Sequence, residues 1–394
     1  MADVVVDDPR SDADLERYAE VQAESFAETH DEALSWLQRM RPWALMRCAR
    51  AGDEIVGGYI CMPCGQFFGG RSVPALAVAG VVVSPAWRRR GVAGALMRDL
   101  VERAAAEHMA LAPLHAATTR LYRRWGWEIG DQSLRIHVRS DALSALRGEG
   151  HAVRRPPIAA AQALRASVLP SWDGPLDRPD WWLDVEWPSG PDRPENHSYG
   201  WMEGDRLTGF MRYLERRDWP WMELIVMELT VATPDALRGL LGFIGGHEAQ
   251  APDVVFARSS LRARNELLFL LPDADKVVSV EAHICWMQRI VDLEAAVRAR
   301  GWPAHVAGRV ELEVGDPVRG TERVVLEVAD GAGHVSPGGA GRVQLGIGAL
   351  ASWYSGTLRA RDGVRIQLID APATDVAVMD AMLGDREPWM PDYF

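Results

Sequence analysis

The sequence predicts a mixed α/β fold of α+β character: two similar sheet-and-helix units, the second degenerate, followed by a smaller α+β domain. Three observations point there. The first third alternates strand and helix patterns, the same order of elements returns in the middle of the chain, and the C-terminal quarter carries a pattern of its own. At 394 residues the chain also exceeds the length at which one hydrophobic core keeps growing.

The elements follow in order. Helical patterns cover about 12 to 24 and 31 to 40, and "ALMRCARAGDEIVGGYICMPCGQF" reads as two strands joined at Gly52-Asp53. "ALAVAGVVVSP" is a strand, Gly91 to Glu107 a helix, "LAPLHAAT" a strand, Leu121 to Trp125 a short helix and "WEIGDQSLRIHV" a strand. A Pro- and Trp-rich excursion, "PSWDGPLDRPDWWLDVEWPSGPDRPENHS", carries too many large aromatics for a solvated linker. Then "YGWMEGDRLTGFMRYLE" repeats the hairpin about Gly204-Asp205, "MELIVMELTV" the strand and "PDALRGLLGFIGGHEA" the helix. Finally "RIVDLEAAVRAR" reads as an amphipathic helix, "RVELEVGDP", "RVVLEVADG" and "RVQLGIG" as strands, and "DVAVMDAMLG" as a helix.

Composition narrows the function. A net charge of -12 disfavours nucleic acid and anionic membranes, which call for Lys and Arg clusters, and suits a cationic partner. No apolar run approaches the roughly 20 residues of a membrane span, and the start is acidic, so a cytoplasmic protein is expected. Cys48, Cys61, Cys64 and Cys285 make no disulfide framework. Cys61-Met-Pro-Cys64 has a redox or zinc spacing, but in a strand it sends the two sulfurs to opposite faces, and no metal is expected.

Chemistry gathers in "VVVSPAWRRRGVAGALMRDLVERA". An apolar strand runs into a turn with Arg88, Arg89, Arg90 and Gly91, and a helix begins at once, with Val92, Leu96 and Leu100 as its buried face. The free amides and positive dipole end of such a helix, a glycine that admits close approach and adjacent arginines form a pyrophosphate cradle. R-R-x-G-x-[AG] after a V-x-V strand resembles the acetyl-CoA signature of the GCN5-related N-acetyltransferases. The match runs through Arg89, Arg90, Gly91, Val92, Ala93 and Gly94, after Val81 to Val83. The resemblance implies that the backbone of Val81, Val82 and Val83 pairs with the pantetheine arm of acetyl-CoA and that 89 to 94 hold its pyrophosphate; Ala117 and Thr118 join the cofactor-binding set. At the matching turn the second unit has "TVATPDALRG", with Asp235 in place of arginines, so one cofactor site per chain is expected.

Acetyl transfer to an amine needs a neutral amine and a stabilised thiolate. A lysine-like ammonium, with a pKa of about 10.4, is almost wholly charged at pH 7, so a base or a tuned electrostatic site is required. Tyr122 in "TTRLYRRWGWEIG" stands where many acetyltransferases of this type have a tyrosine near the sulfur, and suits hydrogen bonding to the developing thiolate. His108, His115 and His137 are candidate bases in the first domain, with His115 nearest Tyr122 in sequence. The end, "DREPWMPDYF", is too aromatic to fray and should dock the Phe394 carboxylate.

An acetyltransferase domain, a degenerate copy, a small α+β domain and an aromatic terminus together resemble the Eis (enhanced intracellular survival) family over essentially the whole chain. The implied domains are 1–145, catalytic; 146–286, a degenerate copy; and 287–394, sterol-carrier-protein-like, on "LASWYSGTLRA" and "PWMPDYF". The resemblance implies Tyr122 as acid, the Phe394 carboxylate as base, an aminoglycoside, lysine, peptide or polyamine acceptor, and a hexamer of two trimers. An α-carboxyl with a pKa of about 3.3 to 3.7 is a weak base, so it works through a water or mainly as a counter-charge. Glu24, Glu28, Asp31, Glu32 and Trp36 are acceptor-side candidates on the first helices, with a solvated face for the acids and a core position for the tryptophan as the plain alternative. The rival function is an apolar-ligand carrier using the third domain, its tunnel plugged by the tail.

Overall fold

The structure, a computed structural model, describes residues 4–186, 196–218, 220–261 and 264–394; stretch 187–195 of the Pro- and Trp-rich excursion lies outside them. By its contacts the chain forms two compact units. The first comprises Met1–Asp131, Cys285–Pro388 and Phe394, the second Gln132–Ile284 and Trp389–Tyr393.

In the first unit, strand β1 (Val4–Asp7) leads to helices α1 (Asp12–Phe26) and α2 (His30–Met40). The Ser11 side chain caps α1 through the Asp14 amide, and Thr29 with Glu32 closes a capping box on α2. Then come β2 (Leu45–Ala51), β3 (Glu54–Phe68) and β4 (Arg71–Val83), each antiparallel to its predecessor. Helix α3 (Val92–Ala106) crosses over to β5 (Leu114–His115), which lies parallel to β4. The expected face of Val92, Leu96 and Leu100 is buried on the sheet, joined by Met97, Val101 and Ala104. Helix α4 is Thr119–Arg123, earlier in the chain than its apolar pattern indicated, and β6 is Glu128–Arg139.

One local expectation changes. The helix read over residues 289 to 300 is confined to Leu293–Ala299, because Asp292 caps it and Arg289 is drawn out of it. The Arg289 guanidinium is buried against Asp316 at 2.7 Å and the Trp125 carbonyl at 2.7 Å, and burial lowers its pKa. Of the tail, residues 389–393 pack within the second unit and Phe394 within the first. In the sterol-carrier-like domain the helix Ile347–Tyr354 is itself buried, and Trp353 and Tyr354 pack beside Trp302 and the Arg300 guanidinium.

The second unit repeats the frame. Its strands run in the order 151–154, 196–203, 206–218, 221–231, 253–256, with a hairpin at Gly204 and the helix Pro234–Gly245 crossing over between the parallel last two. The end strand of each copy is exchanged. Residues 136–139 of β6 pair antiparallel with 253–256, whereas Trp286 and Met287, in the strand that ends the second copy, pair with His115 and Leu114.

Leu96 is fully buried on α3. Leu96→Ala is expected to cost about 2 to 5 kcal/mol, read as a lower urea midpoint for the first unit.

Candidate active site

The site begins where β4 parts from β5. The two parallel strands pair at Val78 and Leu114, and β4 then continues to Val83. Against β3 the register shifts, so that Gly58 faces Val82 and Ile60 faces Ala79, leaving a bulge on β4 at Gly80 and Val81. Gly80 has φ +58°, and the buried Tyr18 hydroxyl donates to its carbonyl at 2.8 Å. A side chain there would stand 3.1 Å from the Tyr18 oxygen and 3.5 Å from the Trp36 ring. The bulge turns β4 away from β5, and Val81, Val82 and Val83 form the edge of the opening.

Beyond β4 the Ser84 amide bonds the Val56 carbonyl, a short turn covers Pro85–Trp87, and Arg88, Arg89 and Arg90 are exposed. The Arg90 guanidinium lies 5.1 Å from the centre of the Trp87 ring, and Arg89 has φ +63°, a strained value for a residue with a side chain. Gly91 takes φ +92° as the N-cap of α3, open on its Cβ side, and no side chain caps the helix. The amides of the first turn therefore face outward beside three arginines, which is the geometry an oxyanion group requires. The Val92 side chain is buried and takes no part in that surface; Gly94 packs on Trp125, 2.9 Å from where its Cβ would lie. Ala117 and Thr118 are exposed on the loop into α4.

Tyr122 is buried on α4, edge-on to Trp127, whose indole donates to the Ala112 carbonyl at 2.8 Å. Burial pushes the phenol up to about 12. His115 on β5 is half-buried, and its ring meets the ring of Phe394 edge-on at 5.1 Å. The terminal residue is thus brought to the strand that leads into α4. His108 is exposed behind α3 with φ +58°, and His137 lies in the second unit, accepting from the Arg135 Nε at 3.1 Å. Neither joins His115.

Among the acceptor-side candidates, Glu32 serves as the cap of α2 and Glu28 accepts from Gln22 at 3.1 Å, while Glu24 and Asp31 are exposed. Trp36 alone among the five is seated at the Gly80 bulge. Cys61 is buried, its thiol pushed well up by desolvation, and Cys64 is half-buried. Among the described residues no group of three or more His, Cys, Asp or Glu side chains could hold a metal, and no helix is long and apolar enough to cross a membrane.

Sequence reasoning missed Tyr18, Gly80 and the residues that hold the tail. Trp389 donates to the Ser259 carbonyl at 2.8 Å, and Asp392 is fully buried among arginines. The acid in the middle of "MELIVMELTV", Glu228, was the available signal, since a charge is rarely placed in a buried strand without a partner.

Comparison with known proteins assigns two acetyltransferase (GNAT) domains, at residues 8–130 and 174–290, and a sterol carrier protein domain at 293–391. N-acetyltransferase Eis of Mycobacterium tuberculosis is 27% identical over 379 residues, covering 84% of this chain and 87% of that one. An uncharacterized N-acetyltransferase of Streptomyces griseus is 26% identical over 361 residues, 83% of each chain. The crystal structure of a GCN5-related N-acetyltransferase from Kribbella flavida superposes with a TM-score of 0.83 at 28% identity, over 100% of this chain and 98% of that one.

The buried phenol sets an alkaline signature. Tyr122 stays neutral in the fold until about pH 12, whereas in the unfolded chain it ionises near its usual value of about 10. Its contribution to stability is intact below pH 10 and is lost as pH rises from there to 12. Tyr122→Phe should reduce the loss of melting temperature between pH 9 and 11, and an ultraviolet titration should show one fewer late-ionising tyrosine.

Proposed function

Because the chain belongs to the Eis family of GCN5-related N-acetyltransferases, we propose that it transfers the acetyl group of acetyl-CoA to amines of a small polycationic acceptor, such as an aminoglycoside or polyamine, or to a lysine or peptide amine. One observation carries the donor half of this reading. The edge of β4 past Val78 leads straight to the uncapped first turn of α3 and its arginines. An extended arm can hydrogen-bond along Val81 to Val83 while its pyrophosphate sits on the amides from Gly91 to Gly94 beside Arg89 and Arg90, with Ala117 and Thr118 across the opening.

An acceptor nitrogen attacks the thioester carbonyl carbon directly. As the carbonyl re-forms the C–S bond breaks, and the sulfur leaves as a thiolate that accepts a hydrogen bond from the Tyr122 hydroxyl, its proton coming late through that hydroxyl from solvent. A phenol held neutral to about pH 12 is a weaker acid than a thiol of about 8.5, so its part is to keep a hydrogen bond on the developing thiolate at any working pH. The nitrogen gives up its extra proton to the Phe394 carboxylate, directly or through a water, and the carboxylate also serves as counter-charge to the incoming ammonium. His115, against the Phe394 ring, helps to fix where that carboxylate lies. The acidic chain, at a net charge of -12, favours the approach of a polycation. Assembly as a hexamer of two trimers and a cytoplasmic location belong to the same proposal; sedimentation velocity tests the first.

Purified protein, acetyl-CoA and a panel of aminoglycosides, polyamines and lysine peptides should release CoA thiol well above the hydrolytic background. Release at the background rate across the whole panel would count against the reading. Tyr122→Phe should lower kcat by about a hundredfold or more with little change in KM for acetyl-CoA. Arg89→Gln with Arg90→Gln should instead raise that KM by about tenfold or more, because charge-assisted hydrogen bonds to the donor are lost in ground and transition states alike.

A further inference from the structure

The second unit keeps the parted strands of the first but fills the space between them. Strand 221–231 pairs in parallel with 253–256 through Leu224, Ile225 and Val226, then runs on past that partner to Val231 while still paired with 206–218, as β4 runs on from Val78 to Val83 beside β3. A register shift recurs too, here between Arg212 and Tyr213. Counted from the last paired residue, Leu229, Thr230 and Val231 stand where Val81, Val82 and Val83 stand in the first unit, and Glu228 stands where Gly80 does.

The helix start at this second opening is closed to an anion. Thr233 caps it through the Ala236 amide, and Asp235 accepts from the Glu149 and Gly150 amides and from the Trp201 indole at 2.8 Å. The opening itself holds the tail of the same chain. Trp389 lies against Trp172 at 6.1 Å, its backbone amide on the Asp173 carbonyl at 2.8 Å. What remains beside it, along Leu229 to Val231, is a cavity of about 160 Å³, room for a benzene-sized group and too little for a thioester arm.

Next in the chain, Asp392 enters a buried charge cluster. Its carboxylate pairs with Arg165 at 2.9 Å and with Arg178, and accepts from the Leu176 amide at 2.7 Å. Glu228 sits between the same arginines and Arg212, which it meets at 2.8 Å. The exposed Tyr393 ring, 3.5 Å under the Arg258 guanidinium, follows. We propose that the vestigial donor cleft of the second unit has become the dock for the chain's own C-terminal segment, with Asp392 as the charged ligand of Arg165 and Arg178. Tyr393 alone separates Asp392 from Phe394, so the dock sets where the terminal carboxylate lies, and Asp392 is a positioning residue for acetyl transfer. The second half of the proposal rests on the reading of Phe394 given above.

The test uses the full chain with Asp392→Asn and the conservative Asp392→Glu, and reads two things. One is the rate at which carboxypeptidase releases Phe394 and Tyr393, followed by mass spectrometry; the other is kcat and KM for acetyl-CoA with the acceptor turned over fastest in the panel. Removing one partner of a buried ion pair mainly speeds departure, so Asp392→Asn should release the terminal residues at least about tenfold faster. It should lower kcat by a comparable factor at nearly constant KM, with Asp392→Glu recovering much of both. An unchanged release rate overturns the dock. Faster release with unchanged kcat supports the dock and removes Phe394 from the chemistry, which separates the two failures. Arg178→Gln with Asp392→Asn, which removes a charge of each sign, guards against a variant that fails to fold; it too should release the tail faster while a CoA-induced thermal shift persists.

Discussion

Parallel strands stay joined only while amides and carbonyls reach across, and β4 loses β5 after Val78. The bulge at Gly80 and the Tyr18 hydroxyl on its carbonyl make that loss part of the fold. Everything assigned to the first unit hangs on the resulting edge. It leaves Val81 to Val83 with hydrogen-bonding groups to offer a ligand, directs the strand into the arginine turn, and puts α3 in place with its start outward. β5, released on the other side, carries His115 toward Phe394 and feeds the loop to Tyr122. A residue larger than glycine at position 80 would press on the Tyr18 hydroxyl and be held at a strained positive φ.

The second unit shows what the same frame becomes under a different electrostatic solution. Taking Glu228, Asp392 and three arginines out of water is costly, and such a cluster persists only with close pairing and further hydrogen bonds. The arginines hold the Glu228 carboxyl well below its usual range despite its burial. For Arg212 burial outweighs its partner and brings the guanidinium down to about 10. A hydrophobic plug would have filled the cleft at lower cost. What the charges add is direction: an ion pair and an amide hydrogen bond fix one carboxylate at one place, which packing alone does less well.

The legible parts of the sequence were those in which neighbours in the chain are neighbours in space. Strand, arginine turn, glycine and helix sit side by side in "VVVSPAWRRRGVAG", and the contrast with "TVATPDALRG" is equally local. The density of aromatics was enough to dock the tail. Its destination was not readable, because Asp392 meets Arg165 and Arg178 across more than two hundred residues. The exchange of end strands was hidden for a like reason: alternation in "WEIGDQSLRIHV" reports a strand and a buried face, not which edge it joins. Arg289 defeated the helix period at its start because one buried pair with Asp316 outweighed the propensity of a turn.

Two copies of one frame therefore divide the work by what stands at matching places. Gly80 in one leaves an opening, and Glu228 in the other calls in arginines that close it. Gly91 leaves a helix start bare, whereas Thr233 caps its own and Asp235 beside it is taken up by the Glu149 and Gly150 amides. An open cleft can bind a donor arm, while a filled one can only hold what fills it. The filler here is the segment Trp389–Tyr393, which in the proposed reaction leads to the Phe394 carboxylate. In that proposed reaction the carboxylate's weakness as a base matters less for an acceptor with several ammonium groups. A carboxylate that stays ionised holds one of them as a counter-ion, and the amine that reacts is the one whose proton the site has made easier to lose.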